Sequence, residues 1–593
     1  MPKNKIPAKR FWQDEALTSF QGITFNGGPG QLILPTGTGK TRIAINIMET
    51  HTKGVGRHGF YGVIVPRLLL STQWIHEMAT RFMGNDKKAG LGIPVSFIIV
   101  STGGLTGEIL NPIRAALYAV IGGAAAAAVV VTTNADEIRS QVSMRQREGK
   151  SAIIAVSTYD SSARLAEATR ILSDEELKER EEQGRKTNNI GPIDICFYDE
   201  CHYLVNGRLE QSTKFEAALD INVTSKVFMT ATPRITCDDW EYAPGIEAKG
   251  MQNHERFGEV VYSKTPLEMI EAGGIVAPKA FIVGSNETDN SELTEDSGKN
   301  KLKVCHEALS HLRKTIAETS SAPEKVGAKI LVVCDGQETL RRIFNNAKVF
   351  DAFRAANPKL KIFGLCSDFG CYIDGEFFTP PVTNAVKDKL LLALRNLKPE
   401  DEAIIFHVDM ISEGLDVPGI NAILPFRNCG TIKFLQNLGR ATRLHPEDAI
   451  RIFETGEIKP NKKGKDYIKP NCLVYFPYLF AGRDDVVPEC LDMIFAMIEH
   501  YDFDSSELVE ISFSYPAQIP DGFETPVNMQ ARNSPLAQEI KNLHIEEVDH
   551  RYGLSKYRWS RCFFKTLLNQ QKIDVTRILG KLQVTPNVVF DNK

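Results

Sequence analysis

The segment Leu34-Pro35-Thr36-Gly37-Thr38-Gly39-Lys40-Thr41 constrains the fold of this chain more than any other stretch. It follows a β-rich apolar run at 31–34 and precedes a helical pattern over 42–48. Strand, glycine-containing loop and helix in that order expose backbone N–H groups and a helix N-terminus that can wrap phosphate oxygens. Pro35, Thr36, Gly37, Thr38 and Gly39 are the expected cradle, Lys40 the group that neutralises β/γ-phosphate charge, and Thr41 the hydroxyl that ligates Mg²⁺. The general phosphate-loop pattern has glycine where Leu34 stands; the rest of the pattern is present.

Such a loop belongs in a parallel sheet, and the remaining sequence agrees. Short apolar runs recur at 63–65, 97–100, 153–156, 193–198 and 226–229, separated by helical patterns. Runs of that length rich in β-branched residues read as strands buried on both faces. A second series follows at 330–334, 361–365, 403–408, 422–424 and 472–476. The expected class is α/β, with two tandem doubly wound parallel-sheet lobes. The expected boundaries are lobe 1 over 1–236, a linker over 237–280, lobe 2 over 281–480, and a mainly helical accessory region over 481–593.

Asp199-Glu200-Cys201-His202 closes the 193–198 run. A carboxylate at the C-terminal end of a strand sits beside a phosphate loop in sheets of this kind. Asp199 is the expected metal carboxylate. Glu200 is the expected group that orients or deprotonates an attacking water, and Cys201 a small core residue.

Phosphate loop, DECH, then Thr230-Ala231-Thr232-Pro233 forms an ordered set that resembles superfamily 2 helicases. Ser412-Glu413-Gly414-Leu415-Asp416-Val417-Pro418 looks like motif V, and Gln436-Asn437-Leu438-Gly439-Arg440-Ala441-Thr442-Arg443 like motif VI. The resemblance covers about residues 7–480 and implies two RecA-like lobes and an ATP- and Mg²⁺-dependent motor. Gly414, Asp416 and Gln436 join the nucleotide-binding set by this resemblance, and Thr230 and Thr232 couple hydrolysis to motion. An ATPase shared between two lobes needs far-lobe arginines at the γ-phosphate, which assigns Arg440 and Arg443, expected three apart on one helix face. Phe11-Trp12-Gln13 resembles the adenine-reading segment, with Phe11 and Gln13 at the base. Pro66 and Arg67 fall in a motif Ia-like segment, Thr158 in one like motif Ic, and Cys334 and Ser367 near motifs IV and IVa; with Ser412 these imply the strand track. The EGLDVP form of motif V and the segments 257–262 and 272–278 resemble the restriction-enzyme and branch-migration branch, so DNA is favoured over RNA.

The rest of the chain narrows the reading by exclusion. A net charge of −4 means that any nucleic-acid surface is local. The eleven cysteines form no CxxC pair, so reduced thiols rather than a zinc site are expected. The uncharged stretch 115–135 is alanine-rich with Gly122 and Gly123 inside; it reads as a helix followed by a buried strand over 127–132, not as a membrane span. The N-terminus lacks an apolar leader core, and the expected location is cytoplasmic, in a bacterial, viral or nucleoid-associated setting, and not secreted. Ser173 with Glu176 reads as a capping box, 285–300 as an exposed loop, and 487–501 as an amphipathic helix. The last 43 residues interleave cations with aromatics, which fits a nucleic-acid surface or an ordinary helical domain. No nuclease motif is evident, so a nuclease, defence or repair protein is a possible partner. An RNA helicase, and the motor subunit or nucleotide-gated duplex clamp of a restriction or antiviral-defence complex that does not separate strands, are the alternatives.

Overall fold

Among the described residues of a computed structural model, two eight-stranded sheets account for the two series of apolar runs, and the chain divides into two units between Lys264 and Thr265. The described residues are 10–55, 59–66, 68–85, 88–89, 94–101, 129–149, 151–183, 188–205, 215–233, 250–251, 253–285, 295–334, 336–345, 347–366, 370–380, 382–408, 417–426, 431–479, 493, 497, 500 and 501.

The strands of the first unit are β1 (Gly28–Ile33), β2 (Phe60–Val65), the two-residue pair β3 (Gly84–Asn85) and β4 (Lys88–Ala89), β5 (Val95–Val100), β6 (Val129–Val131), β7 (Ala152–Thr158), β8 (Ile193–Asp199), β9 (Val223–Thr230) and β10 (Glu259–Ser263). The main sheet runs β10-β1-β9-β8-β2-β7-β5-β6, every neighbour parallel. Helices α1 (Phe11–Ser19), α2 (Gln21–Asn26), α3 (Lys40–Val55) and α4 (Leu68–Met83) follow the same chain order around it. Alternation along β2 shows both faces covered. Tyr61, Val63 and Val65 enter one apolar core, and Phe60 and Ile64 the other. That two-sided burial is why the strands are short continuous apolar runs rather than alternating ones.

The second unit holds β11 (Ala277–Ser285), β12 (Lys329–Val333), β13 (Lys361–Cys366), β14 (Gly370–Ile373), β15 (Glu376–Phe378), β16 (Ala403–His407), β17 (Ala422–Pro425) and β18 (Asn471–Leu479). Their order is β11-β18-β17-β12-β16-β13-β14-β15. The β13–β14 and β14–β15 pairs are antiparallel, an edge hairpin that the parallel expectation did not include. It turns at Asp374-Gly375, both at positive φ, a two-residue turn with the twist hairpins need.

Several sequence expectations meet their structure here. The segment 237–280, read as a linker, contributes β10 to the first sheet and the start of β11 to the second. Residues 295–300, read as loop, open the long helix Glu295–Thr319. The Ser173 capping box with Glu176 is formed. The strand expected at 127–132 is β6, while the helix expected before it lies outside the described residues, as do nearly all of 481–593. Among the described residues no helix is long and apolar enough to cross a membrane.

Candidate nucleotide site at the strand ends of the first sheet

Five strand ends meet along one edge of the first sheet. The register pairs Ile33 of β1 with Thr230 of β9, Met229 with Asp199 of β8, Tyr198 with Ile64 of β2, and Val65 with Thr158 of β7. Parallel strands put all their C-termini on that edge, where open α/β sheets bind ligands. The loop 34–39, Pro66, Thr158, Asp199-Glu200 and Thr230 therefore converge from segments up to two hundred residues apart.

The loop enters from β1 through Leu34, whose N–H donates to the Thr230 carbonyl at 3.1 Å. Thr38 folds the loop back on itself, its hydroxyl donating to the Pro35 carbonyl at 2.8 Å. Trp12 braces it from α1, the indole N–H donating to the Thr38 carbonyl at 3.1 Å. Gly39 sits at φ +96°, and a Cβ there would lie 2.5 Å from Gln13 Nε2, so any side chain would displace Gln13. Gln13 Oε1 accepts from the Arg10 N–H at 3.2 Å, while Phe11 beside it is 52% exposed. A flat exposed ring next to an anchored amide is the arrangement expected of a base-reading edge. Lys40, mostly buried, donates its ammonium to the Leu34 carbonyl at 3.0 Å. The first turn of α3 has no intrahelical acceptors for its N–H groups, so the loop and helix start present the donors that a phosphate cradle needs.

The carboxylates are held with equal care. Asp199 Oδ2 accepts from the Trp74 indole N–H at 2.9 Å, and Oδ1 from the Glu200 N–H at 3.1 Å. Burial first, then the neighbouring Glu200 charge, push Asp199 up to about 6; the Trp74 donor and the Lys40 charge pull the other way. A cation at this carboxylate would oppose both upward causes. Among the described residues no three His, Cys, Asp or Glu side chains cluster as a metal cage. Mg²⁺ held by one hydroxyl, one carboxylate, phosphate oxygens and water needs no such cage, so Thr41 and Asp199 fit that ion.

Glu200 adopts φ 50°, ψ 48°, the left-handed region that a non-glycine residue rarely occupies and that recurs at functional sites. Its Oε2 lies 3.4 Å from Thr230 Oγ1 and 3.5 Å from His202 Nδ1. His202 Nδ1 and Thr230 Oγ1 are 2.9 Å apart, and the Thr232 N–H donates to Thr230 Oγ1 at 3.1 Å. One hydroxyl thus joins the second carboxylate to the Thr230–Thr232 segment. Cys201 is fully buried in the core.

Sequence reasoning missed three of these groups as site residues. His202 stands in the quoted DECH segment and was open to discovery. Trp12 stands in the Phe11-Trp12-Gln13 segment and Trp74 in a stretch that resembles motif Ia, but what each indole holds depends on where α1 and α4 pack. Replacing Trp74 by phenylalanine keeps an aromatic ring but removes a hydrogen bond to a charged group, an interaction of about 1.5–3 kcal/mol. The Mg²⁺ concentration for half-maximal ATP hydrolysis should rise about tenfold; an unchanged Mg²⁺ titration would exclude Trp74 from the site.

In the second unit, Gln436 and Arg440 lie one turn apart on the helix Thr431–Ala441 and are both largely buried. The expectation that Arg440 and Arg443 share a helix face is corrected. The helix ends at Ala441, and Arg443 forms an isolated antiparallel bridge with Ile275. The Val276 N–H takes the Thr442 carbonyl at 2.8 Å, which draws the chain out of helical geometry. Cys334 is also corrected: its side chain is fully buried in the core of this unit and its N–H donates to the His407 carbonyl, so neither can contact a nucleic-acid strand. Pro66 and Thr158 lie at their strand ends, both buried, with Thr158 Oγ1 donating to Ser161 Oγ at 3.2 Å. Arg67, Ser367, Ser412, Gly414 and Asp416 lie outside the described residues.

Comparison with known proteins bears on the fold of the chain. Residues 8–235 match the family model described as type III restriction enzyme, res subunit. The ATP-dependent Type ISP restriction-modification enzyme LlaBIII bound to DNA is similar at 14% identity and TM-score 0.58, over 98% of this chain and 36% of that one. A nuclease-deletion mutant of the Type ISP restriction-modification enzyme LlaGI, in complex with a DNA substrate mimic, is similar at 14% identity and TM-score 0.50, over 97% and 35%. This chain therefore spans about a third of the length of those enzymes. No curated protein matches.

Proposed function

We propose that this chain, a superfamily 2 helicase by its ordered motifs, uses ATP hydrolysis to move along duplex or branched DNA. The observation that carries the reading is the convergence of Lys40, Asp199, Glu200 and Thr230 around neighbouring strand ends: the Lys40 charge acts on Asp199, the Glu200 N–H donates to Asp199 Oδ1, and Thr230 Oγ1 lies 3.4 Å from Glu200 Oε2. The loop 35–41 binds the phosphates and Phe11 and Gln13 the base. Thr41 and Asp199 hold Mg²⁺, which supplies charge neutralisation on the phosphates when bound. Glu200 orients the attacking water. Arg440 and Arg443 stabilise charge developing on the γ-phosphate, with Gln436, Gly414 and Asp416 completing the nucleotide contacts. Thr230 relays the state of Glu200 to the Thr232 segment, which couples hydrolysis to movement. Pro66, Arg67, Thr158, Ser367 and Ser412 belong to the strand track.

DNA is favoured by the EGLDVP form of motif V, and the two similar Type ISP enzymes were solved with DNA or a mimic of it. Those enzymes are restriction-modification proteins about three times as long, which favours a second reading as the motor part of a restriction or defence assembly whose nuclease lies elsewhere. Triplex displacement tests the function. The chain should release a third strand from duplex DNA in an ATP-dependent way. ATP hydrolysis without displacement would instead identify a nucleotide-gated clamp, and stimulation by RNA alone an RNA helicase.

A further inference from the structure

Lys469 lies two residues before β18, and its side chain is 3% exposed. Its ammonium donates to three backbone carbonyls: Ile420 at 2.8 Å, Ala441 at 2.6 Å and Arg443 at 2.6 Å. Ile420 follows the motif V-like segment 412–418 by two residues. Ala441 is the last residue of the helix carrying Gln436 and Arg440, and Arg443 is the second arginine of motif VI.

The chemistry of that cage is specific. The last carbonyls of a helix have no intrahelical donors, and a cation beside them also meets the negative end of the helix dipole. Three carbonyl oxygens at these distances call for three N–H donors, which a charged lysine has and a neutral one lacks. Burial acts against that charge and pushes Lys469 down to about 7. The side chain is brought there by its own backbone. Asp448, fully buried, accepts the Ile468 N–H at 2.9 Å and the Lys469 N–H at 3.0 Å. A surface lysine would have served as an ordinary helix-end cation at much lower desolvation cost. What burial adds is a fixed link between two segments that are otherwise consecutive only through β17 and the helix after it.

We infer that Lys469 is a positioning residue that ties the end of motif V to the end of motif VI through one buried ammonium, and so fixes how Arg440 and Arg443 are presented. The inference rests on the reading of those arginines as groups acting on the γ-phosphate. Lys469 touches no substrate; it acts through the backbone of Ala441 and Arg443.

The test uses the full chain with Lys469→Met, Arg443→Ala and the double variant. Amide hydrogen exchange is followed over 420–424 and 438–443, together with DNA-stimulated ATP turnover. Lys469→Met should speed exchange in both segments. It should lower kcat at least tenfold while KM for ATP moves less than twofold, and should cost less in the Arg443→Ala background than in the wild type, because only its effect through Arg440 remains there. Unchanged exchange, wild-type turnover, a KM rise that matches the kcat loss, or additive losses in the double variant would each overturn the inference. Should Lys469→Met not fold, Asp448→Asn carries the same test. A smaller kcat loss at constant KM is then expected, and wild-type turnover overturns the idea. Hydrolysis in the wild type that survives Lys40→Ala would overturn the site reading itself, and this inference with it. That failure is recognised because it appears before any change at Lys469.

Discussion

Replacing Lys40 by alanine, or Glu200 by glutamine, is expected to abolish DNA-stimulated ATP hydrolysis, by two different routes. Lys40 is the cationic group of the phosphate loop, mostly buried between α3 and the Leu34 carbonyl. Its loss removes charge from a site where water cannot replace it, so turnover should fall by about 10²–10³-fold or more and nucleotide binding should weaken with it. Glu200→Gln keeps the shape and the contact with Thr230 but removes the carboxylate proposed to orient the attacking water. Binding should survive while turnover falls by about 10²–10⁴-fold. Steady-state ATPase rates with duplex DNA, paired with binding of a fluorescent ATP analogue, separate the two. Wild-type-like turnover in either variant would reject the assignment.

The second large effect is structural. Gly258→Ala should unfold or severely destabilise the first unit. Gly258 adopts φ +73°, and a Cβ there would lie 2.2 Å from the Pro29 carbonyl oxygen and 2.7 Å from the Gly30 nitrogen. Both atoms are backbone of β1, the strand that delivers the phosphate loop. On the other side Gln31 Nε2, fully buried, donates to the Gly258 carbonyl at 2.7 Å and to the Met251 carbonyl at 2.9 Å. The glycine is thus clamped between strand and amide, with no flexible side chain to yield. A backbone clash combined with a strained φ costs upward of about 4 kcal/mol. For a unit of this size that corresponds to a fall of roughly 8–16 °C in Tm. A thermal melt of Gly258→Ala that overlays the wild type would show that the close approach of 258 to β1 is not what holds β10 on the sheet.

The sheets and the first half of the site were legible because they are local. A strand buried on both faces must be a short apolar run, and a phosphate loop must lie between a strand and a helix, so β1, β2, β8, β9, β12 and β16 stood out from residue type alone. The edge hairpin 370–378 did not, although Asp374-Gly375 is a hairpin turn, because its flanks Gly370–Ile373 and Glu376–Phe378 are too short to show alternation. Residues 295–300 were legible only as polar; the helix they open draws its stability from apolar residues further along, such as Leu302, Leu309 and Leu312, all packed in the core. Arg443 was misplaced on the helix for the same reason. Nothing in Gly439-Arg440-Ala441-Thr442-Arg443 forbids another turn; the Val276 N–H and the Lys469 ammonium end it, and both come from elsewhere in the chain.

The sequence by itself determined the class of fold, the order of the motifs and the identity of the phosphate-loop and carboxylate residues, because spacing along one strand or one turn carries that information. The tertiary structure alone decided which groups hold those residues in place. Trp74 on Asp199, Trp12 on Thr38, His202 on Thr230, and Lys469 beneath motif VI are pairings across 26 to 125 residues of chain; the contact of His202 with Glu200 is the local one. Hydrogen bonds of that kind form where packing brings a donor to a buried acceptor, and no local pattern of residue types fixes where that will be.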